Sequence, residues 1–122
     1  MYHFKNYLPG ILWTLLIFIL SSLPATSLHL PSFWDLFSLD KLAHASFYCI
    51  LFIAWNYSLR KSGYILSKKQ LILLLLCCML YGGALELYQG YCLTDRTADW
   101  VDEVANSVGA VGGYIYVSRN AL

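Results

Sequence analysis

Apolar residues dominate four segments of the chain, and short polar stretches separate them. A helix needs roughly 20 mostly apolar residues, within a range of about 17–25, to cross a bilayer. The segments that approach this length are residues 8–23, 42–59, 70–88 and 100–117. The fourth segment is the least apolar, because Asp102, Glu103 and Asn106 lie in its first half. The pattern predicts four transmembrane helices.

Composition strengthens this prediction. Of the 122 residues, 59% are hydrophobic and only 12% are charged, against about 25% charged residues in soluble domains. One soluble core could not bury so much apolar surface in so short a chain. We therefore expect an all-α integral membrane protein, a single four-helix bundle over residues 1–122 whose main partner is the lipid bilayer. A net charge of +1 gives no indication of nucleic-acid binding.

Two other features of the sequence are interpreted conservatively. The four cysteines have no spacing typical of a zinc site, so we expect packing thiols. The N-terminal apolar segment resembles a signal peptide, but its removal would leave an odd number of spans, so we expect it to be retained.

Lysine and arginine predict the orientation of the bundle. On a four-span arrangement, only Lys41 and Arg96 lie on one side of the membrane. The opposite side carries Lys5, Arg60, Lys61, Lys68, Lys69 and Arg119. The positive-inside rule then places both termini in the cytoplasm. The same arrangement brings all seven acids to the outer side, which predicts a polar site there: Asp35, Asp40, Glu86, Asp95, Asp99, Asp102 and Glu103.

The linkers predict how the helices are connected. Residues 60–69 and 91–99 are short, so spans two, three and four should be antiparallel neighbours. The linker at 25–39 is longer, and we expect its aromatic residues to form an interfacial anchor. Asp40 and Asp99 precede predicted helices and suit the N-cap position.

Helical spacing places polar residues on common faces of the predicted spans. Span two has Lys41, His44 and Tyr48 on one stripe, and span three has Gly82, Glu86 and Gln89. On span four the stripe contains Asp99, Asp102, Asn106, Gly109 and Gly113. The two glycines should let a neighbouring helix approach closely and hold the carboxylates against it.

These polar residues occur in four segments that follow one another along the chain. The segments are "LPGILWTLLIFILSSLP", "DKLAHASFY", "YGGALELYQ" and "DRTADWVDEVANSVGAVGG". Together they resemble the VanZ-like family of bacterial membrane proteins. The resemblance implies a role in the cell envelope, in the bacterial cytoplasmic membrane. The resemblance also points to glycopeptide antibiotics, because the member that gave the family its name is linked to reduced sensitivity to teicoplanin.

The first functional hypothesis is an enzyme that acts on a lipid-linked envelope precursor. His44 would be the general acid or base, with Glu86 or Asp102 as the carboxylate that orients it. Lys41 and Arg96 would hold a phosphate or carboxylate, and Gln89 and Asn106 would supply hydrogen bonds. No resident metal or other cofactor is predicted; a divalent ion held by His44, Glu86 and Asp102 is a variant of this hypothesis.

Three alternatives stay open. Intramembrane ionisable residues are costly and usually face the bundle interior, so the same residues could form a structural network that ties the helices together. The protein could also be a non-catalytic accessory protein that binds an envelope precursor, a glycopeptide or a partner. A small proton-coupled transporter is the third alternative, although the inner halves of the spans offer it no polar path.

Overall fold

The residues that the structure describes form four α-helices. The structure is a computed structural model that describes residues 3–23, 33–93 and 100–120, with the backbone alone at 33–40. Within these ranges it contains no strand, which confirms the all-α prediction. A single 3-10 turn, Phe4–Tyr7, comes before the first helix. The helices are α1 (Leu8–Ser22), α2 (Phe33–Lys61), α3 (Lys68–Cys92) and α4 (Trp100–Asn120).

Three of these helices are long and apolar enough to cross a membrane. The segments are Phe4–Ser22, Lys41–Lys61 and Lys68–Cys92. Their outer surfaces are apolar too, because large hydrophobic side chains such as Leu12, Leu73 and Leu80 are more than half exposed. Exposed apolar surface of this extent is stable against lipid and not against water. The chain is therefore a membrane protein with transmembrane helices.

Contacts between side chains and backbone fix the directions of the helices. Asn6 Nδ2 donates to the carbonyl of Lys61 (3.1 Å), and Trp13 Nε1 donates to that of Phe47 (2.8 Å), so α1 and α2 are antiparallel. Two hydrogen bonds join α1 and α3: the Tyr81 hydroxyl donates to the carbonyl of Thr14 (2.8 Å), and Gln89 Nε2 donates to the carbonyl of Ser21 (3.1 Å). The later residue of α3 meets the later residue of α1, so these two helices are parallel.

The largest helix contact joins α2 and α4, which run in the same direction. Helix α3 packs mainly on α4, whereas α2 and α3 touch only slightly. The prediction that spans two and three are antiparallel neighbours is confirmed, although their contact is small: the rings of Tyr48 in α2 and Tyr81 in α3 have centroids 6.3 Å apart. The predicted close approach at the glycines is confirmed, since a Cβ at Gly113 would lie 2.8 Å from the carbonyl oxygen of Cys49.

The start of α2 differs from the prediction. Residues 33–39 were expected in a linker, but they form the first turns of α2. Asp40 therefore lies about two turns inside the helix and cannot be its N-cap. Asp99, the other predicted cap, lies outside the described residues. Helix α3 does begin with a cap, because Ser67 and Gln70 exchange side-chain-to-backbone hydrogen bonds in a capping box.

Candidate functional site

Polar side chains of α2, α3 and α4 meet at the end of the bundle that contains the N-terminal parts of α2 and α4 and the C-terminal part of α3. Two of them are almost fully buried, since Glu86 and Asn106 are each 2% exposed. Buried polar groups in a membrane bundle are costly unless they find partners. We call the following six residues the polar cluster: Lys41, His44, Glu86, Asp102, Glu103 and Asn106.

Lys41 and Asp102 form an ion pair between α2 and α4. Lys41 Nζ contacts Asp102 Oδ1, and the two side chains are 19% and 14% exposed. The pair is possible because α2 and α4 run parallel and bring both residues to the same level. Lys41 thus supplies positive charge to a carboxylate inside the cluster.

His44 lies between an amide and a carboxylate of α4. Its Nδ1 is 2.9 Å from Oδ1 of Asn106, so Nδ1–H donates and the amide oxygen accepts. The other ring nitrogen, Nε2, is 3.6 Å from Oδ2 of Asp102, which is longer than a hydrogen bond. Asn106 therefore orients the imidazole, and Nε2 is the nitrogen on the side of the carboxylate. This is a suitable arrangement for moving a proton.

His44, Glu86 and Asp102 come together from three different helices. Each offers one ligand atom, and these atoms all lie within 4.8 Å of one another. Imidazole nitrogen and carboxylate oxygen are among the donors that zinc accepts from protein side chains. The same three groups could instead share protons. The structure thus brings the three predicted catalytic residues within reach of one reacting group.

Glu103 belongs to the cluster although its spacing put it off the predicted stripe. Its Oε1 accepts a hydrogen bond from Ser107 Oγ (3.2 Å). Its Oε2 is buried without a hydrogen-bond partner among the described residues. Gly82 on α3 makes room for it, since a Cβ there would lie 2.9 Å from this oxygen. The adjacent glycines of α3 were the signal in the sequence, because they leave space for a side chain of a neighbouring helix.

Gln89, another predicted site residue, contacts α1. Gln89 Nε2 donates to the carbonyl of Ser21 (3.1 Å), and Ser22 Oγ donates to the hydroxyl of Tyr88 (3.2 Å). Gln89 thus takes part in fastening α3 to α1 beside the cluster. Arg96 lies outside the described residues.

The polar cluster has more carboxyl groups than basic groups. It contains three carboxyl groups, Glu86, Asp102 and Glu103, against the ammonium of Lys41 and the imidazole of His44. Carboxylates accept hydrogen bonds and cannot donate them. In their ionised form these carboxyl groups can accept hydrogen bonds from hydroxyl or amino groups.

Comparison of the chain with protein-family models, with curated proteins and with solved structures found no match.

Proposed function

We propose that this chain is a VanZ-like protein of the bacterial cytoplasmic membrane that binds or acts on a lipid-linked precursor of the cell envelope. The observation that carries the proposal is the convergence of His44, Glu86 and Asp102 from three helices, within 4.8 Å. One ion pair would be enough to tie helices together. Six ionisable or amide groups at one level of a small bundle exceed that structural need.

The proposal includes α4 as a fourth span, which its composition alone does not support. The polar and small residues of α4, including Asn106 and Gly109, are buried in the bundle. Its opposite face is apolar and exposed along its whole length: Val101, Val104, Val108, Val111 and Ile115. A helix with a polar side turned inward and an apolar side turned outward is suited to lipid on its outer face.

We further propose that both termini are cytoplasmic and that the polar cluster lies near the outer membrane surface, as the positive-inside rule favours. The test is labelling of single cysteines, introduced at Lys69 and Val101 in a chain whose four native cysteines are replaced by serine. A membrane-impermeant maleimide should label Val101→Cys in intact cells and Lys69→Cys only after lysis. The reverse pattern would reject the orientation and leave the cluster itself unaffected.

The chemistry of the cluster suggests how such a precursor would be held. Sugar hydroxyls or peptide amines of the headgroup would donate to Glu86 and Glu103. His44 would exchange a proton at Nε2, and Asp102 would stabilise the imidazolium form. Lys41 and Arg96 would contact the linking phosphates. Gln89 and Asn106 are proposed as additional hydrogen-bonding groups.

A binding experiment tests this proposal. The probe is a polyprenyl diphosphate that carries a sugar-peptide headgroup, and polyprenyl diphosphate alone is the comparison. The purified full chain should bind the complete probe more tightly, and His44→Ala, Glu86→Gln and Asp102→Asn should each weaken that binding at least tenfold. Ser118→Ala, an exposed position far along α4 from the cluster, is the control. Wild-type affinity in all three variants would reject the site.

A cellular experiment tests the link to glycopeptides. Expression of the chain in a sensitive bacterium should raise the concentration of teicoplanin needed to stop growth. The Asp102→Asn variant should lose this effect while its amount in the membrane stays unchanged. Equal protection by the variant would show that the polar cluster has no part in the effect on glycopeptide sensitivity.

A non-catalytic accessory role is the second candidate, and one observation favours it. The Lys41–Asp102 ion pair and the His44–Asn106 hydrogen bond already engage the cluster within the protein. A pure binding protein would lose affinity gradually with conservative changes such as Glu86→Gln, and purified protein would never convert the probe. Conversion of the probe by the purified protein that is lost in His44→Ala would instead support the enzyme hypothesis.

A further inference from the structure

A second feature lies between α1, α2 and α3, away from the polar cluster. It is a cavity of about 300 Å³, a volume at the lower end of ordinary ligand pockets of about 300–1,000 Å³. Side chains of the three helices line it: Thr14, Leu51, Trp55, Leu74, Cys77, Cys78 and Tyr81.

The polar atoms around the cavity are turned toward one another, so its wall is apolar. Trp55 Nε1 donates to Thr14 Oγ1 (2.9 Å), and Thr14 Oγ1 donates to the carbonyl of Gly10 (2.7 Å). The Tyr81 hydroxyl donates to the carbonyl of Thr14 (2.8 Å). Water needs polar partners and has none on such a wall. An apolar occupant restores the packing contacts that an empty space would lose.

The cavity reaches the surface of the bundle at α3, because Cys77 lines it and is itself exposed. Helices α1 and α3 share little contact, which leaves a gap beside it. Cys77 lies in the middle of a helix long enough to span the membrane. The surroundings at this depth are therefore hydrocarbon, and the apolar groups that can enter are lipid chains.

The gap is closed on the side of the polar cluster. The Tyr81–Thr14 hydrogen bond crosses from α3 to α1 there. Farther along, the Phe18 and Tyr88 rings contact each other at a tilt of 31°, with centroids 5.6 Å apart. A chain that enters the cavity therefore comes from the opposite end of the bundle.

That opposite end is basic. The basic residues there are Lys5 before α1, Arg60 and Lys61 at the end of α2, and Lys68 and Lys69 at the start of α3. Lys68 and Leu74 are about 9 Å apart along the helix axis, at about 1.5 Å per residue. A phosphate beside Lys68 would thus place the start of its acyl chain at the cavity. Basic pockets between helices are typical sites for anionic lipid headgroups.

We infer that this cavity holds one acyl chain of an anionic phospholipid whose phosphate lies at the basic end of the bundle. The inference rests on α1, α2 and α3 alone and does not depend on the function proposed for the polar cluster.

The test measures binding of phosphatidylglycerol and of phosphatidylcholine with identical chains to the full-length protein in detergent, by native mass spectrometry. One phosphatidylglycerol should bind at least fivefold more tightly than phosphatidylcholine. Leu74→Trp fills the cavity and should weaken binding at least tenfold. Leu73→Trp is the matched control, since Leu73 is the preceding residue of α3 and is 61% exposed to lipid. Leu74→Phe repeats the test with a smaller side chain should Leu74→Trp not fold.

The headgroup contact is tested with basic residues at this end of the bundle. Lys68→Gln should weaken phosphatidylglycerol binding about fivefold, from about 1 kcal/mol per basic residue near the headgroup. Arg119→Gln is the control and should have a smaller effect, because Arg119 lies at the same end of the bundle on α4, which does not line the cavity. Equal affinity for the two lipids, equal binding by the Leu74 and Leu73 variants, or equal losses at Lys68 and Arg119 would each overturn the inference.

Discussion

The backbone of Gly109 lies against the carbonyl group of Ala45, and no Cβ atom would fit between them. One turn later, Gly113 lies in the same way against Cys49. This close approach sets the register of α4 on α2. The same register brings Asp102 to Lys41 and Asn106 to His44, so the glycine contact positions the polar cluster.

Gly109→Ala should therefore destabilise the protein and disturb the cluster. A methyl group at this position overlaps a backbone oxygen, which cannot rotate away, and overpacking costs about 1–3 kcal/mol. Gly112→Ala is the control, because nothing lies within 4 Å of its added Cβ. That change should be neutral or stabilise the helix by about 0.5–1 kcal/mol. Thermal unfolding in detergent measures both; equal unfolding temperatures would contradict the packing argument.

The four helices and the glycine contact could be predicted from the sequence, because the apolar runs and the helical spacing are local properties. The start of α2 could not. Phe33, Trp34 and Phe37 suit a membrane interface equally well in a loop and in a helix. Only the backbone decides between these states, and it is helical from Phe33.

The partner of each helix could not be predicted either. Short linkers fix the direction of consecutive helices, but they say nothing of α2 and α4, which are separated along the chain by α3. The parallel α2–α4 contact nevertheless determines the cluster. Glu103 was missed among the site residues for a related reason. Its side chain faces Gly82 of α3, and the spacing of residues along α4 alone does not show where α3 lies.

Lys41 and Asp102 should be energetically coupled. Removing either partner leaves a charge that is only 14–19% exposed. Residues within one ion-pair network show coupling of about 0.5–3 kcal/mol in a double-mutant cycle. We expect Lys41→Gln and Asp102→Asn together to cost less than the sum of the single changes, measured by denaturant unfolding in mixed micelles. The control is a second cycle in which Lys69→Gln replaces Lys41→Gln, and its effect should be additive with that of Asp102→Asn. Additivity in the Lys41–Asp102 cycle as well would refute the pairing.

Glu103→Gln should stabilise the protein at neutral pH. It removes a charge from a carboxyl group whose Oε2 has no hydrogen-bond partner in the described part of the chain, while Oε1 can still accept from Ser107. Burying a charged group without a partner costs more than burying a neutral amide, so a gain of about 0.5–2 kcal/mol is expected. Glu103→Ala, which also loses the bond to Ser107, should gain less. Thermal unfolding at neutral and at acidic pH compares the variants, and destabilisation by Glu103→Gln at neutral pH would contradict this account.

Gly82→Ala should disturb His44 more than it disturbs the fold. The added Cβ would lie 2.9 Å from Glu103 Oε2, which is at the end of a flexible side chain, and 3.1 Å from Asn106 Nδ2. Asn106 orients His44 through the 2.9 Å contact with Nδ1. A small displacement of the amide should therefore change the ¹⁵N chemical shifts of the His44 ring, with a loss of stability of about 1 kcal/mol. Gly83→Ala is the matched control, because its Cβ would meet Glu103 at an ordinary distance of 3.6 Å. Unchanged His44 shifts in Gly82→Ala would show that Gly82 does not position the imidazole.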